Sequence, residues 1–291
     1  MNTKNLANSD KLTIFTLASG RSGTLFLADF FAKNIEQCYH THEPYFTLGN
    51  PTLFGKPIDW NTQHNDNALM PVLERKCRFI ANRQEPVYFE SNHAFLKAFN
   101  RHAGALLNNV GFIHLVRHPA KVAKSEWLRE QMIRKLHLPF VDYFTEAGER
   151  CFLWALTGKE TLFQYYAQHT LSRFQFYLLQ WIEIEHRAMQ LIQHNHWQNR
   201  VFFIDVDAHL KDEAILKQLA DFFDLSHKSR FDMDLYRNKT PFIGPTVITG
   251  QDEQEMRWLL ARLPQKYKTM LKSTPYAGCA SWASTISRMM D

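Results

Sequence analysis

The chain has 291 residues, of which 45% are apolar and 22% charged, with a net charge of +5. That length allows one large α/β domain or two small ones with a real buried core, and the composition is that of a folded chain. The modest positive charge suits an anionic ligand and falls short of the dense basic stripes of a nucleic-acid binder. Aromatic residues reach 14%, with 23 Phe, which points to a core or an acceptor pocket lined with rings. Cys38, Cys77, Cys151 and Cys279 lie far apart with no CxxC pair. They read as reduced, mostly buried thiols, not as a disulfide framework or a zinc site. The polar start MNTKNLANSDK shows no signal peptide, no apolar run is long enough to span a bilayer, and a cytoplasmic location is expected.

In chain order, Leu12 to Asn34 reads as strand, tight turn and helix, with a loop of small residues around Gly20 and Gly23. The glycines let backbone amides crowd around a ligand, while Ser22, Thr24 and the amides at the helix start face it. The helix N-terminus favours an anion, most often a phosphate. A Walker A loop would follow its second glycine with Lys-Ser/Thr, but here Thr24 and Leu25 follow Gly23. Arg21 supplies the cation, and the Mg²⁺ position holds a leucine, which suits a group transfer without metal. A plain tight turn is the alternative for this segment taken alone.

Cys38 to Glu43 is a second strand stopped by Pro44, and Tyr45 to Asn67 reads as a loop over one end of the sheet. Helical spacing covers Ala68 to Asn82, Val87 to Glu90 is a third strand, and Ala94 to Leu107 looks helical. A fourth strand, Gly111 to Arg117, ends at His118-Pro119, a helix start. From there to about His196 the pattern is mainly helical, giving a helical insertion around 126–197 within a single domain. Val201 to Val206 is a fifth strand, and Asp212 to Phe223 an amphipathic helix. Arg230 to Gly250 is irregular, and Gln251 to Ser273 is helical with a break at Pro264. Five short apolar strands separated by helices predict a parallel sheet of P-loop type, flanked by helices in three layers. Ligands in such folds sit at the carboxyl ends of the strands. That rule gathers Gly20–Thr24, Glu43, Glu90 to His93, Arg117 and the stretch from Asp205 to Asp207.

Arg117 ends a strand and Ser125 follows eight residues later on a helix, a spacing that lets a guanidinium and a hydroxyl converge on one phosphate. Taken singly, each is better read as a surface residue. Together with the first loop they are specific. LASGRSGTLFL resembles the 5′-phosphosulfate loop of sulfotransferases, closest to the carbohydrate sulfotransferases, and LVRHPAKVAKSEW resembles the 3′-phosphate motif of the same family. The two stand roughly 95 residues apart, and FFIDVDAHLKDEAILKQLADFFDL is similar to a late strand and helix of that family. The resemblance covers about residues 12 to 225.

It implies sulfuryl transfer from 3′-phosphoadenosine 5′-phosphosulfate (PAPS) to an acceptor hydroxyl, without metal, leaving adenosine 3′,5′-bisphosphate (PAP). Gly20, Arg21, Ser22, Gly23, Thr24 and Leu25 would hold the 5′ side, Arg117 and Ser125 the 3′-phosphate, and Arg21 would neutralise the leaving group. For the base, HTHEPYF resembles the Glu-Pro-aromatic stretch of carbohydrate sulfotransferases and implies Glu43. ESNHAFL resembles more loosely the KTHLP segment of cytosolic sulfotransferases and implies His93, with Ser91-Asn92 in place of Lys-Thr. Each residue also has a bland reading, a loop ion pair for Glu43 and a loop histidine for His93. His40 and His42 share one face of their strand without a third metal ligand. Lys124 points away from Ser125, Arg237–Lys239 reads as a solvated loop, and the aromatic helices from Phe163 to Trp197 as core. The competing readings are a small-molecule kinase using ATP and Mg²⁺ and a non-catalytic nucleotide-binding protein. The acceptor, whether a sugar, lipid headgroup, phenol or other small alcohol, and the oligomeric state are not legible.

Overall fold

A computed structural model describes residues 11–44, 49–235 and 246–291. Arg237–Lys239 therefore lie outside the described residues. The elements in order are β1 (Leu12–Ala18), α1 (Thr24–Asn34), β2 (Cys38–His42), α2 (Lys56–Thr62), α3 (Asp66–Ala81) and β3 (Val87–Ser91). After a π-helical turn at Phe95–Phe99 come α4 (Ala103–Leu106), β4 (Val110–Val116), α5 (Pro119–Lys135), β5 (Asp142–Phe144) and β6 (Arg150–Phe152). Then follow α6 (Thr161–Gln164), α7 (Arg173–His194), β7 (Val201–Asp205), α8 (Val206–His209) and α9 (Glu213–Phe222). The remaining helices are α10 (Gly250–Ala261), α11 (Gln265–Leu271) and α12 (Ala283–Met290).

The five strands expected from sequence form one parallel sheet in the order β2-β3-β1-β4-β7. Successive residues on a strand face opposite ways, so two separate cores form. Phe15, Leu17, Tyr88 and Phe112 pack with the α3, α5 and α7 side, while Ile14, Ala18, Phe89, Ile113 and Leu115 pack under α1 and α9. Every residue of β4 is buried, which explains its near-continuous apolar run. Aromatic pairs fill both layers: Phe15 stacks on Phe95 at 4.5 Å and Phe31 on Phe89 at 3.7 Å between ring centroids. Phe174, Tyr177 and Trp181 on α7 are core, as expected.

Several expectations need correction. The stretch read as a loop from Tyr45 to Asn67 contains α2, whose start uses Gly55 and Pro57, punctuation that also reads as turn. Ala94 to Leu107 is not one helix; it breaks into the π-turn and α4. Between the helices of the stretch around 126–197, β5 and β6 form an antiparallel hairpin pinned by Arg150 on Asp142, a feature the sequence reading lacks. The C-terminal α12 was not anticipated. The four cysteines are free, and burial pushes the half-buried Cys38 thiol up to about 12. Among the described residues no helix is long and apolar enough to cross a membrane.

Gly111 on β4 is a packing glycine: a Cβ there would come within 2.4 Å of the Phe223 ring at the end of α9. Gly111→Ala should therefore cost about 1–3 kcal/mol of overpacking strain. Urea unfolding should show the lowered midpoint, and Phe223→Leu in the same chain should restore part of it.

Candidate active site

All five parallel strands deliver a candidate residue at their carboxyl ends. The β1–α1 loop carries Arg21 to Leu25, the end of β2 carries Glu43, the end of β3 carries His93, the end of β4 carries Arg117, and α8 after β7 carries Asp207. They surround a cleft of about 810 Å³, lined among others by Arg21, Gly23, Thr24, Leu25, Glu43 and His93. A cavity of that size takes a nucleotide-sized ligand. The crevice lies where β1 has β3 on one side and β4 on the other, the switch point at which parallel sheets bind ligands.

The loop is shaped by its backbone. Gly23 caps α1 at φ 85° and no side chain among the described residues caps that end, so the positive end of the helix opens towards the cleft. A Cβ on Gly23 would also come within 2.4 Å of Leu210. Arg21 and Glu43 adopt φ values of 64° and 40°, left-handed conformations that cost of order 1–3 kcal/mol each and concentrate at ligand clamps.

Arg21 joins the two motifs. Its Nε donates to Ser125 Oγ at 3.0 Å, and its carbonyl accepts from Arg117 at 2.8 Å. Arg21 thus lies between Ser125 and Arg117, bonded through its side chain to the first and through its carbonyl to the second. Arg117 reaches the cleft, whereas Ser125 is buried and lies behind Arg21. Ser22 is placed differently from the expectation: its hydroxyl turns inward onto Ser19 Oγ at 3.1 Å. Gly20 lies behind the lining, where a Cβ would sit 1.8 Å from Glu126 Oε1 and 3.5 Å from His93 Cε1. Burial, partly offset by Glu126, lowers the Arg21 pKa, yet a guanidinium stays charged at any working pH.

At the other end of the cleft, His93 Nε2 lies 3.3 Å from Glu43 Oε1. Glu43 is positioned by its amide on the Ser91 carbonyl at 3.1 Å, and Ser91 Oγ donates to the Thr24 carbonyl at 2.5 Å. That hydroxyl ties the Glu43 side of the cleft to the loop. Burial holds the His93 pKa well below the ordinary histidine range, helped by Lys97, Arg129, His42 and Arg21.

Three features escaped the sequence reading. Arg129 lines the cleft one helical turn beyond Ser125, stacked over Trp154 at 4.3 Å and 3.6 Å from Glu126; the four-residue spacing from Ser125 was its signal. Glu126 is buried, and one of its oxygens has no hydrogen-bond partner among the described residues. Lys97 is fully buried beside His93. Asp207, a loose candidate from the strand-end rule, accepts from Lys121 at 3.0 Å and the His118 amide at 3.1 Å, and lies 3.6 Å from Arg117. Burial opposes its ionisation, but those donors and cations hold its pKa below the ordinary value. Lys124 points away, onto Asp252 at 2.9 Å. Among the described residues no group of three His, Cys, Asp or Glu side chains is placed to hold a metal ion.

No family of known sequences and no curated protein matches the chain. Among solved structures it is similar to a sulfotransferase from Alicyclobacillus acidocaldarius, at 14% identity and a TM-score of 0.48, over 92% of this chain and 95% of that one. A sulfotransferase domain from the Synechococcus PCC 7002 olefin synthase gives 12%, 0.41, 91% and 96% for the same quantities. A sulfotransferase domain from the curacin biosynthetic pathway gives 13%, 0.37, 84% and 82%. Likenesses at this level leave the function to be read from the cleft itself.

Two measurements check the site. Gly20→Ala should destabilise the fold by about 1–3 kcal/mol, and adding Glu126→Ala should recover most of the loss in chemical denaturation. His118 caps α5 by accepting from the Ala120 amide at Nδ1, at 3.2 Å. Burial and Lys121 push its pKa down to about 4. Its ring protons should titrate near that value by NMR. The unfolded chain takes up this proton first, so His118 makes stability fall as pH drops from about 6.5 to about 4. His118→Asn should remove that part of the pH dependence.

Proposed function

We propose that the chain transfers a sulfuryl group from PAPS to an acceptor hydroxyl. The observation that carries this reading is one cleft with cations and an uncapped helix start at one end and a carboxylate at the other. Arg21, Arg117 and the start of α1 occupy the first end, Glu43 and His93 the second. The residues fit the donor's charges. The loop amides from Gly23 to Leu25 would hold its 5′ side, and Arg117 would hold its 3′-phosphate. Ser125 contributes by fixing the Arg21 guanidinium.

The reaction is an in-line displacement at sulfur. The acceptor oxygen loses its proton to the base and forms the new O–S bond. The S–O bond to the 5′-phosphate breaks, and its electron pair stays on the phosphate oxygen. Arg21 and the positive end of α1 stand where that charge gathers, so the protein acts mainly by position and field. The absence of a Walker lysine and of a hydroxyl at Leu25 disfavours the ATP-and-Mg²⁺ kinase, which has no observation of its own in support. The acceptor is a carbohydrate or another small alcohol, the first suggested by the likeness of HTHEPYF to the Glu-Pro-aromatic stretch of carbohydrate sulfotransferases.

Calorimetry with PAP in EDTA, beside ATP with Mg²⁺, tests the reading. Metal-free binding of PAP should weaken about 10- to 100-fold in Arg117→Ala, the loss of one charge-assisted contact. Arg21→Ala should lower turnover of PAPS by about 10²-fold or more while leaving PAP affinity nearly unchanged. Preference for Mg-ATP would sink sulfuryl transfer in favour of the kinase. PAP binding without turnover against any alcohol would favour the non-catalytic protein.

A further inference from the structure

His93 and Glu43 are both placed to act as a base, and the atoms behind His93 decide between them. His93 is 2% exposed, and its Nδ1 lies 3.1 Å from Lys97 Nζ. Lys97 is fully buried in the π-turn four residues further on, and it also donates to the Trp154 carbonyl. An ammonium has hydrogens to give and no lone pair to offer. Against it, Nδ1 can only accept, and a neutral imidazole then carries its one proton on Nε2. Nε2 is the atom turned to Glu43, at 3.3 Å and short of hydrogen-bond geometry. We propose that Lys97 is a positioning residue that locks His93 in the Nε2–H tautomer, so that Glu43 takes the acceptor's proton and His93 donates towards Glu43. The assignment of roles rests on the sulfuryl-transfer reading; the tautomer lock does not.

In the step itself the acceptor O–H bond breaks, and its proton forms an O–H bond on a Glu43 carboxylate oxygen. The pair left on oxygen forms the bond to sulfur. His93 keeps its proton throughout. Lys97 is faced by Glu126 and Arg129 from α5, Glu43 from the end of β2 and Arg187 from α7. Burial pushes its pKa down to about 8, with Glu126 and Glu43 opposing and Arg129 and Arg187 adding to the fall. His93 is faced by Lys97, Glu43, Arg129, His42 and Arg21. Above pH 8 a neutral Lys97 amine accepts as well as donates, the lock opens, and the Nδ1–H tautomer becomes accessible. The pair is a proton-dependent selector of which group can act as base.

Nitrogen NMR of the whole ¹⁵N-histidine-labelled chain, with His93 assigned by His93→Gln, reads the tautomer without any substrate. At pH 7 the wild type should show a protonated Nε2 and an accepting Nδ1, with Nδ1–H growing in above about pH 8. Lys97→Arg keeps a donor without an acceptor and does not titrate, and it should hold the Nε2–H form across that range. Lys97→Met should lose the preference. A wild-type ring protonated on Nδ1 at pH 7 overturns the proposal with no variant needed. In turnover of PAPS, Glu43→Gln should cost about 10²–10⁴-fold, and His93→Gln, which retains a donor, about tenfold or less. Equal losses would overturn the assignment of Glu43 as base. No turnover in the wild type alongside the Nε2–H signature would refute sulfuryl transfer and leave the lock standing.

Discussion

The site depends on how Arg21 is held. The residue sits in a left-handed conformation between two glycines of the loop, with its carbonyl turned to Arg117 and its guanidinium to Ser125. One residue therefore ties the end of β1, the end of β4 and the second turn of α5. Each of those elements is fixed separately by the two cores on the faces of the sheet. Because the interiors on both faces are close-packed, small displacements of the strand ends are resisted, and the cation stays aimed at one spot. Its charge is partly desolvated, which strengthens its field on anything bound nearby.

Beneath His93 the β3 end is braced by a buried polar network. Lys76 Nζ lies 2.8 Å from Glu90 Oε2, Tyr88 donates to the same oxygen at 2.5 Å, and Asn92 donates to Glu90 Oε1 at 2.8 Å. The Asn92 amide reaches Thr16 on β1 at 3.0 Å, and its side-chain oxygen receives the Ala94 amide at 2.8 Å. Lys76 and Glu90 are both fully buried. Removing one charge of such a pair strands the other, at a cost of about 3–5 kcal/mol, so the network commits the turn that presents His93 to one geometry. The same stretch holds the departure from the KTHLP pattern. Ser91 does local work there, joining the Thr24 carbonyl to the strand that carries Glu43's partner.

Most of the strands were legible as short apolar runs bounded by glycine, proline or polar residues, β2 by its alternation and the stop at Pro44, and their common carboxyl edge follows from the parallel topology. That edge rule brought Arg21, Glu43, His93 and Arg117 into one place across most of the chain. Side-chain aim was not legible. Nothing in SGRSG distinguishes a serine facing the cleft from one bonded to its neighbour, as Ser22 is to Ser19. Lys97 sits in FLKAF, an apolar stretch whose lysine reads as a snorkelling surface residue until α5 and Trp154 close over it. Arg129 belongs to the charged run EWLREQ, which has the look of a solvated helix face. The three-residue strands β5 and β6 are too short to show a period, and their pairing depends on contacts between Asp142 and Arg150.

The sheet order places the two halves of the cleft on unequal footing. β1 and β4, which carry the anion side, are interior strands with ladders on both edges, and β4 is buried throughout. Among the described residues β2, which carries Glu43, is an edge strand paired only to β3, and none of its five residues is fully buried. Backbone amides on such an edge open and exchange with solvent at lower free energy than those of a central strand. The anion side is therefore the stiff half of the cleft, and the carboxylate side the compliant one. That division of stiffness lets the carboxylate side adapt to groups of varied outline without disturbing the anion side.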